Sequence, residues 1–178
     1  MKKFKITISI LLVVLVSVSC HDDEIYNLED EAKVETFAKA DSRNATLVFG
    51  RYYGKCEGDY CVKIFKLKNK QLKEAVTSSR PAFGEFYEGV FSMIKVSDKI
   101  NITELFSDFP SMLLRSKETH SIIGLPDAGD WGGIYLEYKD EKLHKQWFLD
   151  LNANNLPKEL VNYTSLINEK INLIEGDQ

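Results

Sequence analysis

The fold is decided near the C-terminus by residues 134–139, IYLEYK, residues 143–149, LHKQWFL, and residues 157–176, PKELVNYTSLINEKINLIEG. In the first run apolar and more polar residues alternate, and in the second Leu143, Trp147 and Leu149 are evenly spaced. Both patterns predict strands that bury one face. Asp140-Glu141 separates the two runs, so the pair predicts a β-hairpin.

The third run predicts a long amphipathic helix. Pro157 suits the first turn of a helix, where its missing N–H is not needed, and Gly176 is typical of a helix end. Between them one mostly apolar stripe recurs at helical spacing: Leu160, Thr164, Ile167, Ile171 and Ile174. A stripe of this kind must pack on another element. The sequence therefore predicts an α+β fold, an antiparallel meander sheet with the C-terminal amphipathic helix packed on it.

The preceding part of the chain adds more strands. β-Branched and aromatic residues predict strands at 46–53, 60–68, 71–76 and 90–96. The run 60–68 carries apolar residues on both faces, which suits either a β-bulge or a strand covered on both sides. A short helix is predicted from Asp98 through Phe106, before Pro110. These elements place a single globular α+β domain at residues 45–178.

The N-terminus has the pattern of an export signal. Three lysines precede a largely apolar run at 6–18, and Ser19 stands before Cys20. This order of charged, apolar and small residues is typical of a secretory signal peptide, and the run is too short for a transmembrane helix of about 20 residues. We expect a signal peptide at 1–19, lipidation of Cys20, and an acidic tether at 20–44. Simple secretion is the alternative, because Ser17 stands where an aliphatic residue is usual.

The charge balance excludes some partners. Without residues 1–19 the 23 basic residues become 20, against 27 acidic ones, so the formal net charge falls from −4 to −7. This acidity argues against nucleic acid as a partner, because phosphates are neutralised by clustered Lys and Arg. It also argues against electrostatic adsorption to an anionic membrane. Membrane attachment is therefore expected through the lipid on Cys20.

Cys56 and Cys61 are expected to form a disulfide. They stand five positions apart in CEGDYC, between two predicted strands, and an exported protein meets an oxidising compartment. A zinc site would need two further ligands at suitable spacing, and the sequence has no second Cys or His cluster. No metal or other cofactor is expected.

A glycine-rich loop, 124-GLPDAGDWGG-133, is the best candidate for ligand binding. Asp127, Asp130 and Trp131 could bind a sugar or a cation there, with the indole as a stacking surface. The favoured alternative is that the loop makes tight turns while Trp131 covers the edge of the core. His120 and His144 are expected to be surface residues, and Phe86 with its neighbours Phe83 and Tyr87 either forms a recognition patch or covers a small core.

Three places in the sequence carry a resemblance. They are Cys20 with the acidic residues 22–24, the block 50–61 (GRYYGKCEGDYC) and the block 123–133 (IGLPDAGDWGG). In these places the chain resembles small, functionally uncharacterised lipoproteins of Bacteroidota. The resemblance implies a lipid-anchored protein of the outer membrane, exposed at the cell surface, with the periplasmic face as the alternative. It implies no activity and no catalytic residues.

The expected function is that of a non-catalytic binding or interaction module in the cell envelope, with a glycan, a protein or a small molecule as ligand. No nucleophile or acid/base constellation stands out in the sequence. Two alternatives remain open. One is a glycan-directed hydrolase that uses Asp127 and Asp130, since two carboxylates can share the acid and base roles. The other is a structural or inhibitory envelope protein.

Overall fold

The computed structural model describes residues 44–58, 60–77 and 79–177. The expected signal peptide, Cys20, His21 and almost all of the expected tether lie outside these residues. Within them, no helix is both long enough and apolar enough to cross a membrane.

In this part of the chain, seven strands form one sheet, and three α-helices accompany it. The strands are β1 (Thr46–Tyr52), β2 (Val62–Lys68), β3 (Gln71–Ala75), β4 (Phe91–Met93), β5 (His120–Ile123), β6 (Gly133–Lys139) and β7 (His144–Asp150). The helices are α1 (Glu104–Ser107), α2 (Ser111–Arg115) and α3 (Lys158–Asp177), with short 3₁₀ turns at Ala128–Asp130 and Ala153–Asn155. The strand order across the sheet is β4-β3-β2-β1-β6-β7-β5.

The α+β class is confirmed, but the sheet is mixed rather than a purely antiparallel meander. β1 to β4 do form an antiparallel meander, and β6 and β7 form the expected hairpin. β5, however, was not predicted, and it runs parallel to β7 at the edge of the sheet. In the sequence, α1 and α2 lie between β4 and β5 and carry the chain to that edge of the sheet. A connection of this length allows the strand that follows it to run in either direction.

The larger core lies between the sheet and the helices. α3 buries Leu160, Thr164, Ile167, Ile171 and Ile174, the stripe expected from the sequence, although the helix continues past Gly176 to Asp177. Trp147 and its apolar neighbours on the sheet are fully buried in the same apolar cluster, where Phe109 packs edge-on against the indole. The Tyr163 hydroxyl donates a hydrogen bond to the Leu105 carbonyl at 2.8 Å, which joins α3 to α1. We call this side of the sheet the helix face.

The opposite side of the sheet carries a second, smaller core. Its buried members are Val48, Tyr52, Cys61, Val62, Ile64, Tyr135 and Phe148. The β1–β2 register runs without interruption from Thr46↔Lys68 to Tyr52↔Val62, so β2 has no bulge, and it is covered on both sides only as far as Phe65. Residues 79–90, which we call the covering segment, lie over this second face and bond to it.

The burial of β6 differs from what the sequence predicts. The alternation in β6 placed Tyr135 and Glu137 on the solvent side, yet they are 0% and 6% exposed. Alternation records that the two faces of a strand differ in polarity, whereas burial depends on what the rest of the chain places over each face. Polar side chains are buried here because they have hydrogen-bond partners in the covering segment.

Candidate functional site

The candidate ligand-binding residues lie at the end of the sheet where β1 ends and β6 begins. Three segments meet there, namely the loop after β1, the loop before β6 and the start of the covering segment. We call the side chains that join them the tryptophan rim: Lys55, Arg80, Asp127, Asp130 and Trp131.

The loop after β1 is closed by the expected disulfide. Cys56 and Cys61 are bonded, with their Cα atoms 5.5 Å apart. The Tyr53 N–H donates to the Cys61 carbonyl at 2.9 Å, and the Cys61 N–H donates to the Gly58 carbonyl at 3.1 Å. The covalent link and these two hydrogen bonds join the two ends of the loop, and the Tyr60 side chain within it is largely exposed.

The loop before β6 is a series of tight turns. Asp127 and Asp130 both have left-handed backbone angles, with φ of 68° and 67°, which Asp adopts more readily than most residues do. The Asp127 N–H donates to the Gly132 carbonyl at 2.8 Å and closes the loop. Gly132 is required at its place, because a Cβ atom there would lie 1.8 Å from the Tyr52 carbonyl oxygen. The turn interpretation of this segment is therefore correct for the backbone.

Two ion pairs fix the loop to its neighbours. Asp127 pairs with Arg80 of the covering segment, and Asp130 pairs with Lys55 of the disulfide loop at 2.8 Å. Arg80 also donates to the Gly54 carbonyl at 3.3 Å, and its guanidinium lies 5.1 Å from the centre of the Tyr52 ring. The three segments are thus tied to one another through polar side chains.

Trp131 does not cover the edge of the core, contrary to the favoured expectation. It is 77% exposed, the largest exposed fraction among the exposed large apolar residues of the described chain. It directly follows Asp130, which has a left-handed backbone conformation. The rim therefore holds an indole in solvent on a loop whose backbone is fixed by ion pairs and by Gly132.

The carboxylates of the rim do not form an evident cation site. In the part of the chain that the structure describes, no group of three or more His, Cys, Asp and Glu side chains is arranged to hold a metal ion. Asp127 and Asp130 instead contact a guanidinium and an ammonium group, respectively.

A cluster of polar side chains lies under the covering segment, and the sequence did not point to it. We call it the covered cluster: His120, Tyr135, Glu137, His144 and Gln146. The Tyr135 hydroxyl donates to Glu137 Oε2 at 2.6 Å, and Glu137 Oε1 lies 2.8 Å from His144 Nε2. His120 Nδ1 lies 2.9 Å from Gln146 Oε1. Burial, together with the Glu137 charge, raises the pKa of Tyr135 well above its usual range.

The covering segment closes over this cluster through its backbone. The Tyr87 N–H donates to both the Tyr135 hydroxyl, at 3.1 Å, and Glu137 Oε2, at 3.0 Å. The Gln146 side chain accepts from the Gly84 N–H and donates to the Ala82 carbonyl, each at 3.1 Å. The cluster thus satisfies the backbone of an irregular segment and holds it on the sheet.

The aromatic residues of the covering segment divide between the two expected roles. Phe86 stacks on the His144 ring with centroids 3.4 Å apart, and Tyr87 packs edge-on against Phe91 at 5.7 Å. Phe83 remains more than half exposed. His120 and His144 are half-buried rather than surface residues, since Phe86 lies against both rings.

One signal in the sequence could have indicated the covered cluster. Glu137 and Gln146 occupy opposing positions in the predicted hairpin, and they are direct partners in the β6–β7 register. Two polar residues of this kind facing each other are equally compatible with a solvent face, so the pattern alone cannot separate the two cases.

Comparison with known proteins gives no relative: no family model, no curated protein sequence and no solved structure matches the chain significantly.

Proposed function

We propose that the protein is a lipid-anchored, non-catalytic binding module of the bacterial cell envelope, and that its tryptophan rim binds a glycan. The observation that carries this proposal is the exposure of Trp131 on a loop that two ion pairs and a left-handed turn hold in place. An indole held in solvent offers an apolar face on which a sugar ring can stack.

The surroundings of Trp131 support a polar ligand with an apolar face. Asp130 and Lys55 stand beside it as an exposed ion pair, and both can exchange part of that pairing for hydrogen bonds to hydroxyl groups. The hydrogen bond from the Asp127 N–H to the Gly132 carbonyl and the close approach of Gly132 to Tyr52 restrict the loop, which lowers the cost of fixing its backbone on binding.

The contacts of the two carboxylates favour binding over hydrolysis. A hydrolase that used Asp127 and Asp130 would need them as an acid and a base facing the same bond. Here Asp127 is bonded to Arg80 and Asp130 to Lys55, so each already serves to hold a neighbouring segment. The proposal that the protein is not an enzyme rests on these contacts.

The location is part of the same proposal. The export signal, Cys20 and the acidic residues after it support a lipid anchor in the outer membrane of a Bacteroidota species, with the domain displayed at the cell surface. The periplasmic face is the alternative. Digestion of intact cells with a protease separates the two, because only a surface-exposed domain is cleaved.

Binding to an array of neutral and acidic oligosaccharides tests the rim. We expect the full chain to bind at least one neutral glycan and Trp131→Ala to weaken that binding by about tenfold or more, as for an aromatic residue at the centre of an interface. Met93→Ala is the matched control, because Met93 is another exposed apolar residue, on the edge strand β4. Equal binding by wild type and Trp131→Ala would refute the proposal, as would cleavage of the glycan that Asp130→Ala abolishes.

A further inference from the structure

Four lysines gather on the second face of the sheet, at the end opposite the tryptophan rim. Lys66 and Lys73 are direct cross-strand partners in β2 and β3. Lys68 and Lys139 both pair with Thr46, one from each side of β1. Residues opposed in register point to the same side of a sheet, so all four side chains share one surface. We call it the lysine face.

Within the described residues, the four lysines of the lysine face form no ion pair with a carboxylate. Among residues 44–58, 60–77 and 79–177, no carboxylate lies within 4.0 Å of any of these four ammonium groups. Glu137 stands in the same row of the sheet, across Val48 from Lys66. Its charge favours the protonated form of Lys66, while its oxygens bond to the Tyr135 hydroxyl, the Tyr87 N–H and His144.

The surroundings of Lys66 change its pKa. Its ammonium lies 4.0 Å from the centre of the Phe91 ring. Burial lowers the pKa of Lys66; the charge of Glu137 opposes that effect, and the charges of Lys73, Lys139 and Lys68 add to it. Burial and the neighbouring lysines therefore make the charged form of Lys66 less favourable than it is in water.

The arrangement costs stability in the unliganded protein. Like charges placed directly opposite each other on neighbouring strands are destabilising. The chain has more acidic than basic residues, 27 against 23, yet no carboxylate of the described residues forms an ion pair with these four lysines. A bound anion would relieve the repulsion that the protein itself leaves in place.

We propose that the lysine face binds an anionic polysaccharide through its sulfate, phosphate or carboxylate groups. Lys68 and Lys139 are two strand spacings apart, roughly 10 Å, and Lys66 and Lys73 extend the same surface, which suits an extended polymer better than one small anion. The expected export of the chain favours a polysaccharide over nucleic acid, and the extent of the lysine face favours an extended polymer over a single lipid headgroup. β1 separates this face from the rim by about 20 Å, so the two sites can be tested separately.

Binding of the full chain, kept in detergent, to dextran sulfate and to uncharged dextran tests the proposal, because the two polymers differ only in their charged groups. We expect binding to dextran sulfate alone. Lys66→Gln with Lys73→Gln should weaken it by roughly tenfold and reduce the slope of log affinity against log salt by about half, since two of four contacts are lost. Lys99→Gln with Lys117→Gln removes the same charge from exposed positions elsewhere and should leave the affinity nearly unchanged.

Thermal unfolding separates a lost contact from a lost fold. Without polymer, Lys66→Gln with Lys73→Gln should melt at or above the wild-type temperature, because the repulsion is reduced. Dextran sulfate should raise the melting temperature of the wild type and of the Lys99/Lys117 variant, and raise that of the Lys66/Lys73 variant much less.

Several outcomes would overturn the proposal. One is equal weakening in the two double variants, which would show a general charge effect. Another is binding to single-stranded DNA or to anionic vesicles as tight as to dextran sulfate. Polygalacturonate, which carries carboxylates only, then identifies the preferred anionic group. Retained dextran sulfate binding in Trp131→Ala would leave this proposal standing even if the rim binds no glycan.

Discussion

The pKa of Tyr52 depends on burial and on the charged residues of the tryptophan rim. Its ring is buried beside the Arg80 guanidinium, in the second core. Burial, followed by the charge of Asp127, raises the pKa of Tyr52 to about 12, while Arg80 acts in the opposite direction. The folded protein therefore keeps this phenol neutral at a pH at which an unfolded chain would ionise it.

This difference predicts a loss of stability in alkali. Below pH 10 the tyrosine is neutral in both states, so its contribution to stability is fully present. Between pH 10 and about 12 the unfolded state ionises first, and the free energy of unfolding falls by up to about 1.4 kcal/mol per pH unit. In urea titrations at pH 8 and pH 11, Tyr52→Phe should lose less stability than the wild type by roughly 1 kcal/mol.

The control for this measurement is Tyr60→Phe, because Tyr60 is largely exposed. It should follow the wild type at both pH values. If Tyr52→Phe and the wild type lose the same amount of stability, the environment assigned to Tyr52 is wrong.

Trp131 shows the limit of inference from single residues. The sequence identified its loop as the best binding candidate from the density of glycines and carboxylates, and the turns are present. It could not say whether the indole faces the core or the solvent, because the answer depends on Asp130 adopting a left-handed conformation and on contacts with Lys55 and Arg80.

The covering segment is the element whose behaviour depends most on polar contacts. It has no strand or helix between residues 79 and 90, and the covered cluster satisfies its backbone at Tyr87, Gly84 and Ala82. Glu137 is central to that cluster, because it accepts hydrogen bonds from the Tyr135 hydroxyl and the Tyr87 N–H. The segment should thus open locally when Glu137 is weakened as an acceptor.

Glu137→Gln tests this role. The substitution removes the ionised partner of these donors and of His144, and a buried donor left unsatisfied costs about 1–3 kcal/mol. We expect faster amide hydrogen exchange in peptides that contain residues 80–90. We also expect the free energy of global unfolding to fall by about 1–3 kcal/mol. Exchange in peptides from α3 should increase only through global unfolding.

Glu85→Gln supplies the comparison, because Glu85 lies in the same segment with an exposed side chain. It should exchange as the wild type does. Unchanged exchange at residues 80–90 in Glu137→Gln would show that apolar packing, through Phe86 and Tyr87, holds the segment without the polar cluster.

Apolar periods of two and of 3.6 residues predicted most of the strands and helices. The β6–β7 hairpin, β1 to β3 and α3 appear close to their expected places, because each carries its own apolar periodicity. β5 and α2 were not predicted, since at five residues or fewer they are too short to display a period. β4 is shorter than the run 90–96, because only three of its residues pair with β3.

The whole molecule has two ends with different chemistry. The tryptophan rim joins loops at one end of β1, and the lysine face surrounds Thr46 at the other. Ala45, directly before β1, is fully buried in the larger core, so the chain enters the domain at the lysine-face end. The proposed anchor thus precedes the lysine face in the chain, and the rim lies at the far end of β1.

The anchor is tested on the whole protein by fractionation of the producing cells. We expect the wild type to partition with membranes and into detergent, and Cys20→Ser to be released as a soluble protein, because several acyl chains are needed for stable attachment. Cys56→Ser with Cys61→Ser removes the other two cysteines and should remain with the membrane. Membrane association of Cys20→Ser equal to that of the wild type would rule out the lipid anchor.

Local period and spacing in the amino-acid sequence were sufficient to predict the α+β class, the C-terminal hairpin, the buried face of α3 and the Cys56–Cys61 disulfide. Only the tertiary structure decided what lies over each face of the sheet. It placed β5 parallel to β7, buried Glu137 under the covering segment, exposed Trp131 and brought Lys66 and Lys139 onto one surface. The physical reason is that periodicity distinguishes the two sides of a strand, whereas the neighbours on each side come from segments far away in the chain.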